Sequence, residues 1–512
     1  MKTEAQLRQE YRSRIKDSPG FFVRNVLGDG LWQQQEAIIA SVKAHAKTAV
    51  RSCHGAGKSF VAGRTALWFL LAHPHSIVIT TAPTFRQVEK VLWKEIRSAV
   101  RDSRVDLGFK PLMTEIKLDS DWLAFGFATD VPDNFQGMHA KWILVIIDEA
   151  SGLPAELWEA IEGVLSGGNS RELAIGNPTD PSGEFAGMFR EPGVAKFHVS
   201  AFDTPNFTAT GITQEDIESG AWRNKAKAYL DEHGAYPYPA LVTPEWVAGR
   251  LKRWGAGSAL YQARVLGEFP KEGANTLIPL AWVEAAQRRS QEPSQEEWER
   301  WRESSEDNPY LPEPDRPHIL GVDVAWEGDD SSTLYLRKSL VIRRRAILHG
   351  LDPMKVTGEM IALMNDEDVN CANVDVIGIG AGVAARGREL NYPVQAINVA
   401  RNAYDEERFA NLRAEIFWNL REALDPKNPR AIDLDPEDEE LLEELVAFRF
   451  GHNSKGQMIL EPKKETKKRL GRSPDRADGV ALSLIPQLVD FEAEDDEDGI
   501  IYHEEEVSIS PV

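Results

Sequence analysis

The sequence predicts an α/β protein built as two units in series: a P-loop NTPase parallel sheet with a helical lid, then an RNase H-like mixed-sheet domain. Three observations carry this. The stretch RSCHGAGKS at 51–59 nearly matches G-x-x-x-x-G-K-[ST] and runs into VAGRTALWFLLA, a helical pattern. Apolar strand-like runs (SIVITTAP, WILVIIDEA, LAIGNP) alternate with helical stretches such as TFRQVEKVLWKEIRSAV, the rhythm of a wrapped parallel sheet. A second start follows at HILGVDVAWEGDD, where TLYLRK and SLVIRRRAIL come in quick succession before helices return, which suggests a mixed sheet.

Taken in order, residues 1–200 form the nucleotide domain, and the more helical 201–275, with VTPEWVAGRLKRW and YQARVLGEFP, form the lid. Residues 276–316, polar, acidic and proline-studded toward their end, are the expected linker. Residues 317–489 form the second domain, and 490–512 are an acidic flexible tail fit for solubility or for docking a partner. The 512 residues are 42% hydrophobic and 27% charged, a profile of a soluble globular protein. No apolar run is long enough to span a bilayer and the first residues lack a signal-peptide core, so a cytoplasmic location is expected. Two cysteines exclude a disulfide framework and a cysteine zinc site. A net charge of -22 excludes an all-over affinity for nucleic acid and confines any DNA contact to local basic patches.

The first site is a nucleotide engine. Backbone N–H groups of Gly55, Ala56 and Gly57 and the start of a helix stabilise phosphate, Lys58 reaches the β/γ-phosphates, and Ser59 serves Mg²⁺. Ser52 stands where the first glycine of the pattern would be, which removes no phosphate-binding group. ILVII ends in Asp148 and Glu149: an acid at a buried strand end holds the Mg²⁺ shell, and the next one orients the attacking water. Gln35 fits either an adenine contact or a surface position before a helix. Gly176 and Asn177, before Pro178, end a strand where a polar side chain can sense loss of the γ-phosphate, or simply turn the chain. Arg51, Arg171 and Arg190 are candidates to complete a neighbour's site, and Cys53 is an inert small residue or a low-pKa thiol.

The second site is a set of carboxylates. An aspartate inside an apolar strand is costly unless paired or metal-bound, and both Asp323 in ILGVDVA and Asp375 in VDVIGIG have that setting. Asp475 and Asp478, at i and i+3 in SPDRADGVALSLI, share the first face of a helix; Asp475 fits a ligand or a helix cap. Oxygen ligands from two strands and a helix suit Mg²⁺ or Mn²⁺ in phosphodiester cleavage. The basic runs RKSLVIRRR and KKETKKRLGR would track DNA phosphates or pair with acids of their own domain.

In that order, the motifs resemble the large terminase subunit of tailed bacteriophages. RSCHGAGKS, TTAPTFRQVEKVLW, FQGMHAKWILVIIDEASGLP, LAIGNPT, YQARVLGEFP, LGVDVA, VDVIGIGAGV and EPKKETKKRLGRSPDRADGVALSL carry the likeness over nearly the whole chain. The resemblance implies an ATP-driven motor that moves double-stranded DNA through a portal protein into a preformed capsid, and a two-metal endonuclease that cuts the concatemer. It implies Lys58 and Ser59 on phosphate and Mg²⁺, Asp148 on the metal shell and Glu149 as catalytic carboxylate. It further implies Asp323, Asp375 and Asp478 as the nuclease triad with Asp475 auxiliary, and Gly176–Asn177 in the coupling motif, where the Asn-Pro departs from a small hydroxyl residue. A small terminase subunit, a homo-oligomeric ring, and residence in the host cytoplasm with transient docking at the portal follow from the same likeness. A helicase–nuclease of DNA repair or defence, and a prophage DNA-binding adaptor with a dead nuclease, are the competing readings.

Overall fold

The computed structural model describes residues 4–127, 140–271, 275–289, 318–325, 330–350 and 352–486. The acidic tail, most of the expected linker and the FQGMH part of one motif lie outside them. The chain divides into two compact units between Lys271 and Glu272. Among the described residues no helix is long and apolar enough to cross a membrane.

The first unit is a seven-stranded sheet in the order β3-β4-β2-β5-β6-β1-β7. Its strands are β1 (Lys47–Ser52), β2 (Ser76–Thr81), β3 (Glu115–Asp119), β4 (Trp122–Gly126), β5 (Trp142–Ile147), β6 (Ser170–Gly176) and β7 (Ala195–Val199). Only β3, at the edge, runs antiparallel to its neighbour. β5 is aliphatic after Trp142 because helices cover both of its faces, as expected of a central parallel strand. On one face lie α1 (Gln33–Ala44), α2 (Lys58–Ala72) and α3 (Trp93–Arg101); on the other lies α4 (Ala155–Val164). Trp93 is fully buried and its indole N–H donates to Thr80 Oγ1 at 2.8 Å, so its one polar atom is satisfied. Because β5, β6 and β1 are adjacent and parallel, the loops that leave their carboxyl ends meet at one edge of the sheet. Helices α5 (Pro205–Thr210), α6 (Gln214–Ser219), α7 (Trp222–His233) and α8 (Pro244–Trp254) fill much of the span expected to be a lid and belong to the same compact unit as the sheet.

One buried acid in this sheet has no part in that edge. Glu172 on β6 is 3% exposed, and burial pushes its carboxyl up to about 7, with Lys47 on β1 opposing. The unfolded chain gives up this proton near the ordinary glutamate value of 4.5, whereas the folded chain holds it to about pH 7. Stability therefore falls as pH rises between those values and is flat above. Glu172→Gln removes the ionisation, so its stability advantage over wild type should grow through that window to roughly 3 kcal/mol. Urea midpoints at pH 4.5, 6 and 8 check this; a difference that does not change with pH would contradict it.

The second unit holds a five-stranded mixed sheet, order β10-β9-β8-β11-β12, made of β8 (Ile319–Asp323), β9 (Ser331–Lys338), β10 (Val341–His349), β11 (Cys371–Asp375) and β12 (Val394–Ile397). β8, β9 and β10 pair antiparallel; β8, β11 and β12 pair parallel. Its helices are α9 (Leu280–Arg289), α10 (Pro353–Asp366), α11 (Gly380–Glu389), α12 (Leu412–Leu424), α13 (Glu439–Ala447), α14 (Lys463–Leu470) and α15 (Asp475–Ser483). α9 lies inside the span expected to be linker: Leu280, Val283 and Ala286 are buried, and the helix packs on α13. The strand expected in VDVIGIG stops at Asp375, where its carboxylate accepts from Ile377 N at 3.0 Å and Gly378 turns with φ of 82°.

α15 lies directly on β8. A Cβ on Gly321 would fall 2.0 Å from the carbonyl oxygen of Gly479, and one on Gly479 would fall 2.6 Å from Thr333 Oγ1. This glycine-to-glycine approach brings the first turn of α15 over the end of β8, where Asp323 sits two residues after Gly321 on the same side of the strand.

Candidate active sites

The loop after β1 is shaped by Gly55 and Gly57, with φ of 70° and 78°. Ser52 has no such requirement, which explains why a side chain is accepted at the first-glycine position; its hydroxyl donates to Cys53 O at 3.2 Å. Lys58 Nζ donates to Cys53 O at 3.4 Å and to Asn177 Oδ1 at 3.1 Å, and Asn177 Nδ2 donates to Ser52 O at 2.7 Å. Asn177 thus ties the end of β6 to both ends of the phosphate loop. Ser151, not expected from sequence, extends the link by donating to Asn177 O at 2.7 Å and accepting from Thr179 N at 3.3 Å. Gly176 is required, because a Cβ there would lie 2.9 Å from Ala150 N.

Ser59 Oγ donates to Asp148 Oδ2 at 2.8 Å. Burial, then the neighbouring Glu149, pushes the Asp148 carboxyl up to about 6, with the Ser59 hydrogen bond and Lys58 opposing. Glu149 has φ of 50°, a strained backbone for a non-glycine residue, and its side chain is 38% exposed with Oε1 4.0 Å from Lys58 Nζ. A hydroxyl on an aspartate, an ammonium, and a second carboxylate open to solvent form a donor set that fits Mg²⁺ and a nucleotide triphosphate.

Gln35 is not on the surface: it is 4% exposed and its Nε2 lies 3.5 Å from Ala56 O, against the loop. Among the arginines, Arg51 stacks over Phe189 and Phe269, Arg171 donates to Ser170 O, and Arg190 donates to Pro181 O. Burial pushes the Cys53 thiol up to about 12, so it is inert. Residues of the helical span 201–275 reach the loop directly. Val242 N donates to Gly55 O at 3.0 Å, His54 N donates to Arg264 O at 2.8 Å, and the His54 ring stacks on Trp246. Gly267 in YQARVLGEFP has φ of 65°, and a Cβ there would press 2.6 Å from Val199 O.

In the second unit a cleft of about 710 Å³ is lined by Asp323, Asp375, Asp475, Asp478, Lys463 and Arg413 among others. Asp323, Asp475 and Asp478 place carboxylate oxygens within 4.8 Å of one another. Asp375 lines the same cleft but stands outside that close group, so the tight set has Asp475 where sequence reasoning favoured Asp375. Asp475 is the first residue of α15 and does not cap it. Its carboxylate accepts from Ser331 N at 3.0 Å and from Ser473 Oγ.

Lys463 Nζ sits among the three acids, 2.8 Å from Asp478, 3.1 Å from Asp475 and 3.7 Å from Asp323. Burial works against its charge, but Asp478, Asp323 and Asp475 outweigh it and raise the lysine. Burial pushes Asp323 up to about 8, while at Asp478 the cations Lys463 and Arg413 overcome burial and hold the carboxyl low. The ammonium stands where a cation is demanded, and the all-oxygen donor set suits Mg²⁺ or Mn²⁺. Lys463→Ala should lower the melting temperature without divalent ions and enlarge the stabilisation by Mn²⁺ relative to wild type. Equal Mn²⁺ shifts in the two proteins would contradict the placement.

The basic runs are largely paired within the unit. Arg337 is buried and donates to Ser483 O, Lys338 and Arg345 pair with Glu367, and Arg344 lies 3.7 Å from Asp438. Lys467 pairs with Asp330, Arg469 with Glu461, and Arg472 with Glu443, which leaves Lys464 and Lys468 exposed on α14. Arg413, which donates to Asp478 Oδ1 at 3.1 Å, was not anticipated; within NLRAEIFWNL it carries no signal beyond a helical pattern.

The fold and the two sites define a class: a P-loop α/β unit with an acid pair at a strand end, joined on one chain to a mixed-sheet unit whose carboxylate cleft suits a divalent metal. Residues 53–283 match the family described as "Terminase large subunit, T4likevirus-type, N-terminal". Over 485 residues the chain is 25% identical to the probable terminase, large subunit, of Enterobacteria phage P7, covering 90% of this chain and 88% of that protein. Similar solved structures include the large terminase of a thermophilic bacteriophage in complex with ADP, at 12% identity and TM-score 0.37 over 88% of this chain and 98% of that one. The nuclease domain of the large terminase subunit gp2 of bacterial virus Sf6 is also similar, at 19% identity and TM-score 0.34 over 41% and 99%. The likeness rests on the family model and the sequence relative: residues 53–283 are similar to the N-terminal domain of large terminase subunits, and most of the chain is similar to a phage terminase large subunit.

Proposed function

We propose that this chain is the motor and nuclease of phage genome packaging. ATP hydrolysis drives double-stranded DNA into a preformed capsid, and a metal-dependent endonuclease cuts concatemeric DNA at the start and end of packaging. The observation that carries the reading is the pairing, on one terminase-related chain, of the Lys58–Asn177 phosphate-loop link with the cluster of Asp323, Asp475 and Asp478. A portal protein, a small terminase subunit and a homo-oligomeric ring are the partners this function requires, with the complex in the host cytoplasm and docked at the portal while it works.

At the first site Lys58 and the N–H groups of the Gly55–Gly57 loop would bind the phosphates of ATP, and Ser59 with Asp148, which share a hydrogen bond, would hold the Mg²⁺ that neutralises them. Glu149, presented at the strand end and open to solvent, orients the attacking water. When the γ-phosphate leaves, Lys58 loses its anionic partner and Asn177 is the neighbour that registers the change, passing it to Ser151 and Thr179. At the second site Asp323, Asp475 and Asp478 would hold divalent metal, with Asp375 lining the same cleft, and the metal would supply water activation and charge neutralisation at the scissile phosphate. Lys463, and after it Arg413, hold the Asp478 carboxyl low, and Lys463 also sits against Asp475 and Asp323.

Duplex DNA should raise ATP turnover of the purified protein without releasing a labelled strand from a partial duplex. Strand release would favour the helicase–nuclease reading. An uncut plasmid in Mn²⁺ with partner proteins supplied would favour the adaptor.

A further inference from the structure

The first turn of α15 is held by a buried polar network that the cleft itself does not require. Asp438 caps α13, its Oδ1 accepting from Leu441 N at 3.1 Å, and its side chain is fully buried. The same oxygen takes a hydrogen bond from Arg476 Nη1 at 2.7 Å, and Oδ2 takes one from the Tyr335 hydroxyl at 2.5 Å. Arg476 lies between Asp475 and Asp478 on α15. Tyr335 lies on β9 opposite Gly321, the residue on which α15 rests, and its ring edge is 3.1 Å from where a Cβ of Gly479 would be. One carboxylate thus joins α13, the sheet at its contact with α15, and the turn that bears two acids of the cleft.

We propose that Asp438 is a positioning residue for the nuclease cleft, fixing the rotation of α15 so that Asp475 and Asp478 meet Asp323. An apolar contact of the same volume would hold the helix to the sheet about as well, but it would not resist rotation about the helix axis. A fully partnered buried network has directional bonds and does. A second grip acts in the same sense: Glu444 Oε2 accepts from Ala477 N at 3.0 Å, and Arg472 of the preceding loop binds Glu443 at 3.0 Å. This inference rests on the cleft being the metal site.

The test is Mn²⁺ titration of the full chain by calorimetry, with plasmid cleavage in parallel, for wild type and Asp438→Asn. The amide keeps the size of the carboxylate and one acceptor oxygen, turns the other position into an N–H donor, and removes the charge facing Arg476. Asp438→Asn should be folded by circular dichroism, keep its ATPase, and need roughly 10- to 100-fold more Mn²⁺ for half-saturation. Its cleavage at saturating Mn²⁺ should fall much less than its metal affinity. A folded Asp438→Asn with the wild-type Mn²⁺ midpoint overturns the proposal. If that variant does not fold, Tyr335→Phe, which deletes only the hydroxyl, is read the same way: a severalfold rise supports the proposal and an unchanged midpoint overturns it. A wild-type chain that neither binds Mn²⁺ nor cuts DNA overturns the nuclease reading itself, a failure distinct from that of the variants.

Discussion

Glu149→Gln should lower ATP turnover by roughly 10²- to 10⁴-fold while leaving Mn²⁺-dependent DNA cleavage at the wild-type rate. The amide matches the carboxylate in size, so the left-handed backbone at 149 and the Asp148 Oδ1 bond to its N–H are retained. What is lost is the negative charge that orients and accepts from water. The charge facing Asp148 is lost with it, and Glu149 is one reason the Asp148 carboxyl is raised. Nucleotide binding should therefore persist or tighten, so ATP bound without turnover is the expected signature. Filter binding and phosphate release on the same preparation check it; turnover within threefold of wild type would remove Glu149 from the chemistry.

Gly321→Ala should abolish cleavage without touching ATP turnover. Its Cβ would meet backbone on two sides, 2.0 Å from Gly479 O and 2.6 Å from Ser483 N, and neither atom can turn away as a side-chain tip could. α15 must lift from β8, which carries Asp475 and Asp478 away from Asp323 and strains the carbonyls that Asn373 and Arg337 hold at the far end of the helix. Overpacking of this kind costs about 1–3 kcal/mol or more. Melting of the second unit should fall by several degrees, with cleavage lost well below the melting point. A Gly321→Ala protein that cuts normally would show that the close approach does not set the site.

The parts of the account legible in sequence are those fixed by local chemistry. The P-loop glycines, the acid pair ending a buried aliphatic strand, and the aspartates ending β8 and β11 all declare themselves through a polar residue in an apolar or turn context. What stayed hidden depends on partners far along the chain. KKETKKRLGR reads as a DNA track until Lys463 is found among Asp323, Asp475 and Asp478, and Arg472 against Glu443. Glu443 and Glu444 of DEELLEELVAF are buried, and their partners, Arg472 and the N–H of Ala477, lie some thirty residues further along the chain. A cap and a ligand are indistinguishable at Asp475 from spacing alone; the α15 boundary, with Pro474 at the cap position, shows that Asp475 is not the cap. Likewise, α9 was hidden by the acidic, proline-studded sequence after it, although its own Leu280, Val283 and Ala286 follow a helical period.

The central claim is that two independent catalytic sites share this chain. The most direct measurement is both activities, ATP turnover and plasmid cleavage in Mn²⁺, on three folded proteins: wild type, Glu149→Gln and Asp323→Asn. The account predicts that wild type performs both, Glu149→Gln only cleaves, and Asp323→Asn only hydrolyses ATP. Cleavage by Asp323→Asn at the wild-type rate, or loss of both activities in either variant, would contradict it.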